Sequence, residues 1–468
     1  MKIYTASNSK THIKKFPAKV RQQIILNILG LITFAPMTIE ALYNIFLQYP
    51  SVQTDTRKLK TGDLFFALNG PNFNGNAFAQ KALDAGAVYA IIDDAKFEIP
   101  GKTILVENVL VALQQLANHH RKQFSIPFLA ITGSNGKTTT KELVHAVLSE
   151  QYRVYTTEGN LNNHIGIPLT ILKIKPDAEL AVVEMGANHL REIASYCVIA
   201  EPTHGLITNC GKAHLEGFGS LEGVRKGKGE LFEYLRAKPD ATIFMMKDYE
   251  YLGAMSAGIK NVITYGTRAA TITGNIADQS STMLIVDIMI EDEPLSIHSQ
   301  LVGDYNLPNV LAAVAVGHAF GVPLKNIKKA IEAFTPSNSR SQLIEDGYNK
   351  IILDAYNANP SSMALAIENF SHISAPKKVL MLGAMAEMGE ASEGEHKLLI
   401  DQIEQHHWDQ VVLVGKPFEP FKTRYHHFEN STDAAKWVGQ QNFDQTYFLI
   451  KGSRSSKMEE ILNAIVNK

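Results

Sequence analysis

Cysteine is nearly missing from this chain, in which Cys197 and Cys210 are the two thiols among 468 residues. They cannot build a disulfide framework or a clustered thiolate metal site, so a reducing, cytoplasmic setting is the expectation. Charge imbalance is missing too, with 45 lysines and arginines against 47 aspartates and glutamates and a formal net charge of -2. Such a chain has no global field to draw it to nucleic acid or to an anionic membrane, so anions must be bound locally. No internal repeat or low-complexity tract is evident, and stable membrane insertion is not expected. Residues 24–36 follow Lys14, Lys15, Lys19 and Arg21 as a signal peptide would, but they are short and interrupted and lack a small-residue cleavage site. With 45% apolar residues, a chain of this length is globular and exceeds one typical core, which sets two or three domains as the expectation.

What is present centres on ITGSNGKTTTKEL, residues 131–143, between an apolar run and an amphipathic helical pattern. A buried strand that enters a tight glycine loop and then a helix brings backbone N–H groups and the positive helix end around a phosphate. Gly133 and Gly136 permit the tight fold, Lys137 would reach the β- and γ-phosphates, and the Thr138 hydroxyl would touch magnesium. The loop is shorter than the usual G-x-x-x-x-G-K-[ST], so the strand–loop–helix order carries the reading.

The rest of the chain divides around that loop into residues 37–124, 125–330 and 331–468, with residues 1–36 read as an extension whose removal should leave fold and activity intact. TIEALYNIFLQYP reads as a helix ending at Pro50, and residues 64–68 as a strand closed by Asn69 and Gly70. Helix and strand then alternate to a helix over residues 109–123. The central part continues as βαβ through YRVYTTEG, AELAVVEMGA and THGLITNCG, turns β-rich between residues 241 and 293, and ends in the apolar helix LPNVLAAVAVGHAF. In the last part, KIILDAYNANP, KKVLMLGAM, QVVLVGK and TYFLIKGS are four strand-to-loop transitions of a second open α/β sheet.

Polar residues beyond strand ends are the candidates for chemistry, because ligands of parallel sheets bind there. Glu184 ends AVVEMGA and reads either as a holder of nucleotide-bound magnesium or as a capping carboxylate. His214, close to Asn209, Gly211 and Gly217, reads as a ligand or as a core residue. Lys228 reads as a solvated helix charge, except that Gly227 and Gly229 beside it weaken a helix and are tolerated where something approaches closely. Asp354, Asn357 and Asn359 follow a strand and Arg340 precedes it; they are either turn formers or one wall of a second substrate site.

These motifs together resemble the ATP-dependent Mur ligases of peptidoglycan synthesis, from about Met37 almost to the C-terminus. The family's T-G-x-x-G-K-T-T matches Thr132 to Thr139, so the resemblance places Gly133, Ser134, Asn135, Gly136, Lys137, Thr138 and Thr139 on ATP. The N-x-N-N-x-x-G-x-P loop matches Asn160, Asn162, Asn163, Gly166 and Pro168, near acceptor and metal. Glu184 and His214 fall on magnesium ligands, and Lys228 on a carbamylated lysine that bridges to the metal. Gly303, Asn306 and Asn309 match an adenine-side pattern, Arg340 an arginine at the nucleotide, and Asp354 the acid at its ribose. D-x-Y-N-A-N-P is intact from Asp354 to Pro360, which implies substrate contacts for Tyr356, Asn357 and Asn359. Gly383, Met385, Glu387 and Gly389, then His396, complete another family segment, and K-G-S-R-x-x-x-M-E runs from Lys451 to Glu459. Asp55, Thr56, Arg57, Phe66, Gly75 and Phe78 resemble the uridine-nucleotide part. Thr56 stands where serine is frequent, and residues 1–36 have no counterpart.

The resemblance implies three α/β domains: a small N-terminal uridine-nucleotide domain, a central P-loop ATP domain with a parallel sheet, and a Rossmann-like C-terminal domain. It implies ATP and Mg2+ as cofactors with Lys137, Asn163, Glu184, His214, Lys228 and Arg340 at the chemistry. The substrates would be UDP-N-acetylmuramoyl-tripeptide and D-alanyl-D-alanine, joined through an acyl phosphate by a monomer that uses no nucleic acid. A sister ligase adding one amino acid is the alternative, and the intact D-x-Y-N-A-N-P counts against it. A folate polyglutamate ligase would lack the uridine-type domain, and a nucleotide-switch module would need no second polar site.

Overall fold

The computed structural model describes residues 37–279, 281–336 and 339–466, so the extension expected over residues 1–36 lies outside them. The chain falls into two compact units, Met1–Ser125 with Pro168–Lys173, and Ile126–Ile167 with Ile174–Lys468.

In the first unit the strands β1 (Val52–Gln53), β2 (Leu64–Phe66), β3 (Tyr89–Ile92) and β4 (Thr103–Leu105) form a parallel sheet in that order. The strands are short, and the sheet depends on Phe65, Ala67, Ala79, Ala82, Ala90 and Ile92 packing into one small core. The helix Ile39–Gln48 begins where Thr38 Oγ1 accepts from Ala41 N–H at 3.3 Å, and Val109–Arg121 begins at an Asn108 cap. Both starts are the hydroxyl or amide caps that the free N–H groups of a first turn require.

The second unit holds two sheets. Nine strands make the first: β5 (Phe128–Thr132), β6 (Val154–Thr156), β7 (Leu180–Glu184), β8 (His204–Ile207), β9 (Thr242–Met246), β10 (Asn261–Gly266), β11 (Ile272–Ile276), β12 (Met283–Ile290) and β13 (Glu293–Val302). Their order is β13-β12-β11-β10-β9-β8-β5-β7-β6, parallel except for the β11–β12–β13 meander. FLAIT and LAVVE are buried at every position, as strands covered on both faces must be, whereas β12 alternates and leaves one face toward water. LPNVLAAVAVGHA forms the helix Leu307–Ala319, apolar all round and buried almost throughout. Gly317 lets it lie close to the helix Lys137–Ser149, since a Cβ there would stand 2.4 Å from Val147 Cγ1.

The other sheet runs β14 (Gln342–Asp346), β15 (Asn349–Asp354), β19 (Thr446–Lys451), β16 (Lys377–Gly383), β17 (Gln410–Val414), β18 (His426–Phe428), with β14 antiparallel at the edge. The four expected strand-to-loop transitions are β15, β16, β17 and β19. The edge strands β14 and β18 escaped the sequence because neither offers a buried apolar run. Helices cover both faces, with Phe370 and Ile400 in one core and Val438 and Ile461 in the other.

Candidate functional site

The glycine loop leaves β5 where the chain order reverses, since β7 and β6 lie on one side of β5 and β8 and β9 on the other. A crevice opens beyond the carboxyl ends of strands at such a point. Gly133 and Gly136 have φ of 143° and 77°, and a Cβ on them would meet Thr208 Oγ1 at 2.0 Å and Asn309 Oδ1 at 2.5 Å. Both positions therefore need glycine for conformation and for space. Residues 208–211 fasten the loop: Ser134 N–H donates to Asn209 O (2.9 Å), Asn135 N–H to Asn209 Oδ1 (3.0 Å), and Thr208 Oγ1 to Asn135 O (2.6 Å). Lys137 folds its ammonium back over the loop, donating to Gly133 O at 2.7 Å and Ser134 O at 3.1 Å. Burial lowers its pKa; the Glu184 carboxylate opposes that and the Arg340 charge adds to it.

Glu184 is 1% exposed at the end of β7. Asn162 Nδ2 donates to its Oε1 at 2.7 Å, and its Oε2 has no partner. An orphaned buried carboxylate oxygen is costly unless a ligand completes it. Asn163 Oδ1 caps the following helix by accepting from Ile165 and Gly166 N–H, Asn160 is exposed, and Thr138 is buried while Thr139 is half-buried.

Lys228 belongs to the helix Leu221–Arg236, whose buried face it shares with Val224, Leu231 and Leu235. Its side chain is fully buried; Nζ donates to Ala187 O at 2.8 Å and lies 5.1 Å from the centre of the Phe218 ring. The close approach anticipated at Gly227 is that ring, because a Cβ there would stand 2.5 Å from Phe218 Cε1. Burial, with the Lys137 charge nearby, pushes the amine down to about 7. The reading of Lys228 as a solvated charge is thereby overturned.

His214 adopts a left-handed φ of 51°, and its Nδ1 is bonded to the Glu387 carboxylate. Arg340 stacks on Tyr356, guanidinium to ring centre 3.6 Å. Asp354 pairs with the buried Lys451 of β19, and Asn357 is exposed. Asn359 is committed on both sides, accepting from Ser362 N–H (2.9 Å) to start the helix Pro360–His372 and donating to Asn135 Oδ1 (2.7 Å) in the phosphate loop. Asn306 and Asn309 are also buried; Asn309 Nδ2 donates to Asn306 Oδ1, and its Oδ1 accepts from Thr140 Oγ1. In the first unit, Arg57 chelates Asp55 and holds its carboxyl down to about 2. Thr56 is half-buried and Phe66 is fully buried. Gly75 is pressed against Leu68 O, and Phe78 is exposed.

The structure thus brings Glu184, Lys228 and Arg340 each into electrostatic range of Lys137, and attaches His214 to Glu387. Among the described residues no three His, Cys, Asp or Glu side chains converge as metal ligands. Magnesium sites frequently draw on one or two carboxylates plus substrate phosphates and water, and the open oxygen of Glu184 fits such a site. Sequence reasoning missed the Asn135–Asn359 bond, the pairing of Glu387 with His214, and Glu230, whose carboxylate binds Arg191 and Ala194 N–H and so fixes the loop after β7. Glu387 sits in a motif already noted, but neither motif nor spacing names its partner.

Comparison with known proteins gives a consistent result. The Mur ligase middle domain matches residues 131–317, the Mur ligase glutamate ligase domain residues 339–454, and the Mur ligase family catalytic domain residues 48–121. The UDP-N-acetylmuramoyl-tripeptide:D-alanyl-D-alanine ligase of Bacillus subtilis (strain 168) is 36% identical over 432 residues, 89% of this chain and 93% of that protein. Its Escherichia coli (strain K12) counterpart is 34% identical over 426 residues, with the same shares. Among solved structures, MurF from Acinetobacter baumannii aligns with a TM-score of 0.82 at 27% identity, over 93% of this chain and 100% of that one. MurF ligase from Thermotoga maritima in complex with ADP aligns at 0.80 and 26%, over 90% and 98%.

Proposed function

The chain belongs to the Mur ligase family, and from that premise we infer that it is an ATP-dependent amide ligase joining D-alanyl-D-alanine to the terminal carboxylate of UDP-N-acetylmuramoyl-tripeptide. Relatives carrying that activity match nearly the whole chain, and the intact segment from Asp354 to Pro360 supports the dipeptide as acceptor. A carboxylate oxygen of the tripeptide attacks the γ-phosphorus of ATP, the bond to ADP breaks, and an acyl phosphate forms. The amine of D-alanyl-D-alanine then attacks the acyl carbon, loses a proton and expels phosphate.

Lys137 and Arg340 would offset charge on the transferred phosphoryl group, and the nearness of the two cations to each other supports that reading. Magnesium, held by Thr138, Glu184, His214 and the Lys228 carbamate, would supply Lewis-acid stabilisation of the phosphate oxygens. The orphan Oε2 of Glu184 is the observation that carries the metal reading. Carbamylation of Lys228 needs a neutral amine, whose nitrogen adds to the carbon of CO2 and releases a proton. An amine pushed down to about 7 by burial is available for that addition near neutral pH. The near-neutral charge balance supports the absence of a nucleic-acid partner and the two buried free cysteines a reducing, cytoplasmic setting, and no helix among the described residues is long and apolar enough to cross a membrane.

Product mass after incubation with ATP, the UDP-tripeptide and a mixture of D-alanyl-D-alanine, meso-diaminopimelate and L-lysine tests this reading. Addition of the dipeptide is expected, and preferential addition of a single amino acid would move the chain to a sister ligase.

A further inference from the structure

His214 and Glu387 lie in the same compact unit but match different family domains, and their side chains are bonded through His214 Nδ1. Both residues hold a left-handed backbone, φ 51° and 58°, which non-glycine residues adopt only where their surroundings fix them. The surroundings here do so. Glu216 N–H donates to Glu387 O at 3.3 Å. The loop carrying Glu387 is braced below by His396, whose Nε2 accepts from Met385 N–H at 3.1 Å, and by Ser453 Oγ, which donates to Ala384 O at 2.6 Å. The segment carrying His214 is tied to the phosphate loop at residues 209–211 and to the C-terminal domain by Lys212, whose N–H donates to Ser361 Oγ (2.9 Å) and whose ammonium pairs with Glu395 (2.6 Å).

A carboxylate on Nδ1 keeps the proton on that nitrogen and leaves the lone pair on Nε2, the tautomer that binds a cation. We propose that Glu387 is a positioning residue for His214, so that the central domain's cation site reaches full affinity only when the C-terminal domain is seated and lends this carboxylate. The inference rests on the reading of His214 as a cation ligand. It explains why a half-exposed acid sits on a strained, doubly braced loop opposite a histidine, where a surface ion pair alone would need neither backbone.

The test is Mn2+ titration of the full chain at saturating ADP, followed by electron paramagnetic resonance, on the parent, Glu387→Ala, Glu387→Gln, His214→Ala and the double alanine variant, with Glu390→Ala as a control. Glu387→Ala should weaken Mn2+ about tenfold to a hundredfold. Glu387→Gln should recover most of that loss, because its amide oxygen still accepts from Nδ1–H. The double variant should bind no more weakly than His214→Ala, since Glu387 acts through that ring, and Glu390→Ala should match the parent. Affinity within twofold of the parent for Glu387→Ala, with His214→Ala strongly impaired, overturns this inference alone. Unchanged affinity in His214→Ala overturns the ligand reading first and this inference with it. A melting curve of each variant separates either result from misfolding.

Discussion

Replacing Lys228 with methionine should make the protein more stable while abolishing its activity. An amine that titrates at 10.5 in water and about 7 in the fold has given up about 5 kcal/mol of preference for its charged form, at roughly 1.4 kcal/mol per pH unit. Methionine fills a similar volume and has no charge to desolvate. It does leave Ala187 O without its donor, which takes back roughly 1–3 kcal/mol, so a net gain on the order of 2–4 kcal/mol remains at neutral pH. In the window between about 7 and 10.5 the unfolded lysine is protonated and the folded one is not, so the parent's stability rises with pH across it and is fully regained above the unfolded value. The advantage of methionine should therefore narrow by roughly 3 kcal/mol over two pH units inside that window. Thermal melts in CO2-free buffer at about pH 7.5 and about pH 9.5 measure both effects, alongside ADP release at the lower pH. Equal melting points at the lower pH, or a gap that stays constant as pH rises, would refute the placement of a desolvated amine at this position.

Three other expectations concern the same centre. Lys137→Ala should reduce turnover roughly a hundredfold or more while uridine-nucleotide binding changes little, since the charge is needed where phosphoryl charge develops; turnover within a few-fold of the parent rejects the assignment. Gly136→Ala puts a Cβ 2.5 Å from Asn309 Oδ1 at a φ of 77°, so ATP affinity should fall and the melting point drop by an amount equivalent to about 1–3 kcal/mol, and an unchanged ATP titration would count against the loop's shape as its binding determinant. Lys228→Ala should lose most turnover and regain part of it with formate or acetate, whereas Lys226→Ala, on the exposed side of the same helix, should stay near the parent; equal turnover in the two alanine variants would remove the carbamate from the mechanism.

The elements that were legible in the sequence are those whose physics is local. FLAIT followed by two glycines and a lysine announces a buried strand and an anion loop, because strand burial and glycine φ are written within ten residues. The apolar helix Leu307–Ala319 is equally local. The strands β14 and β18 carry no such signal; they exist because a neighbouring strand offers its edge. The same division holds at the site. Gly227 beside Lys228 betrayed a close approach, yet nothing in the sequence says that the approaching group is Phe218. Asn359 looks like a turn former and is a helix cap, but its second bond, to Asn135, joins residues 224 positions apart. Glu184 could be placed at a strand end, whereas the solitude of its second oxygen depends on everything packed around it.

That long-range bond has a consequence for the order of events. The segment from Asp354 to Pro360, read by resemblance as the mark of dipeptide-adding ligases, also touches the ATP loop, because Asn359 Nδ2 donates to Asn135 Oδ1 while Asn359 Oδ1 is held by Ser362 N–H. An amide so committed has one orientation, and neither aspartate nor leucine could keep both bonds. Asn135 is itself held through its backbone by Asn209 and Thr208, and residues 211–216 continue from there to Ser361, Glu395 and Glu387. The last domain therefore braces the phosphate loop directly at Asn135 and, through residues 212–214, the segment that fastens that loop. An acyl phosphate in water is lost to hydrolysis, so an enzyme that makes one gains by forming it only when the amine that consumes it is at hand. A direct bond between the phosphate loop and the segment expected to contact the acceptor would serve that need, because loss of that segment's position would also be felt at Asn135.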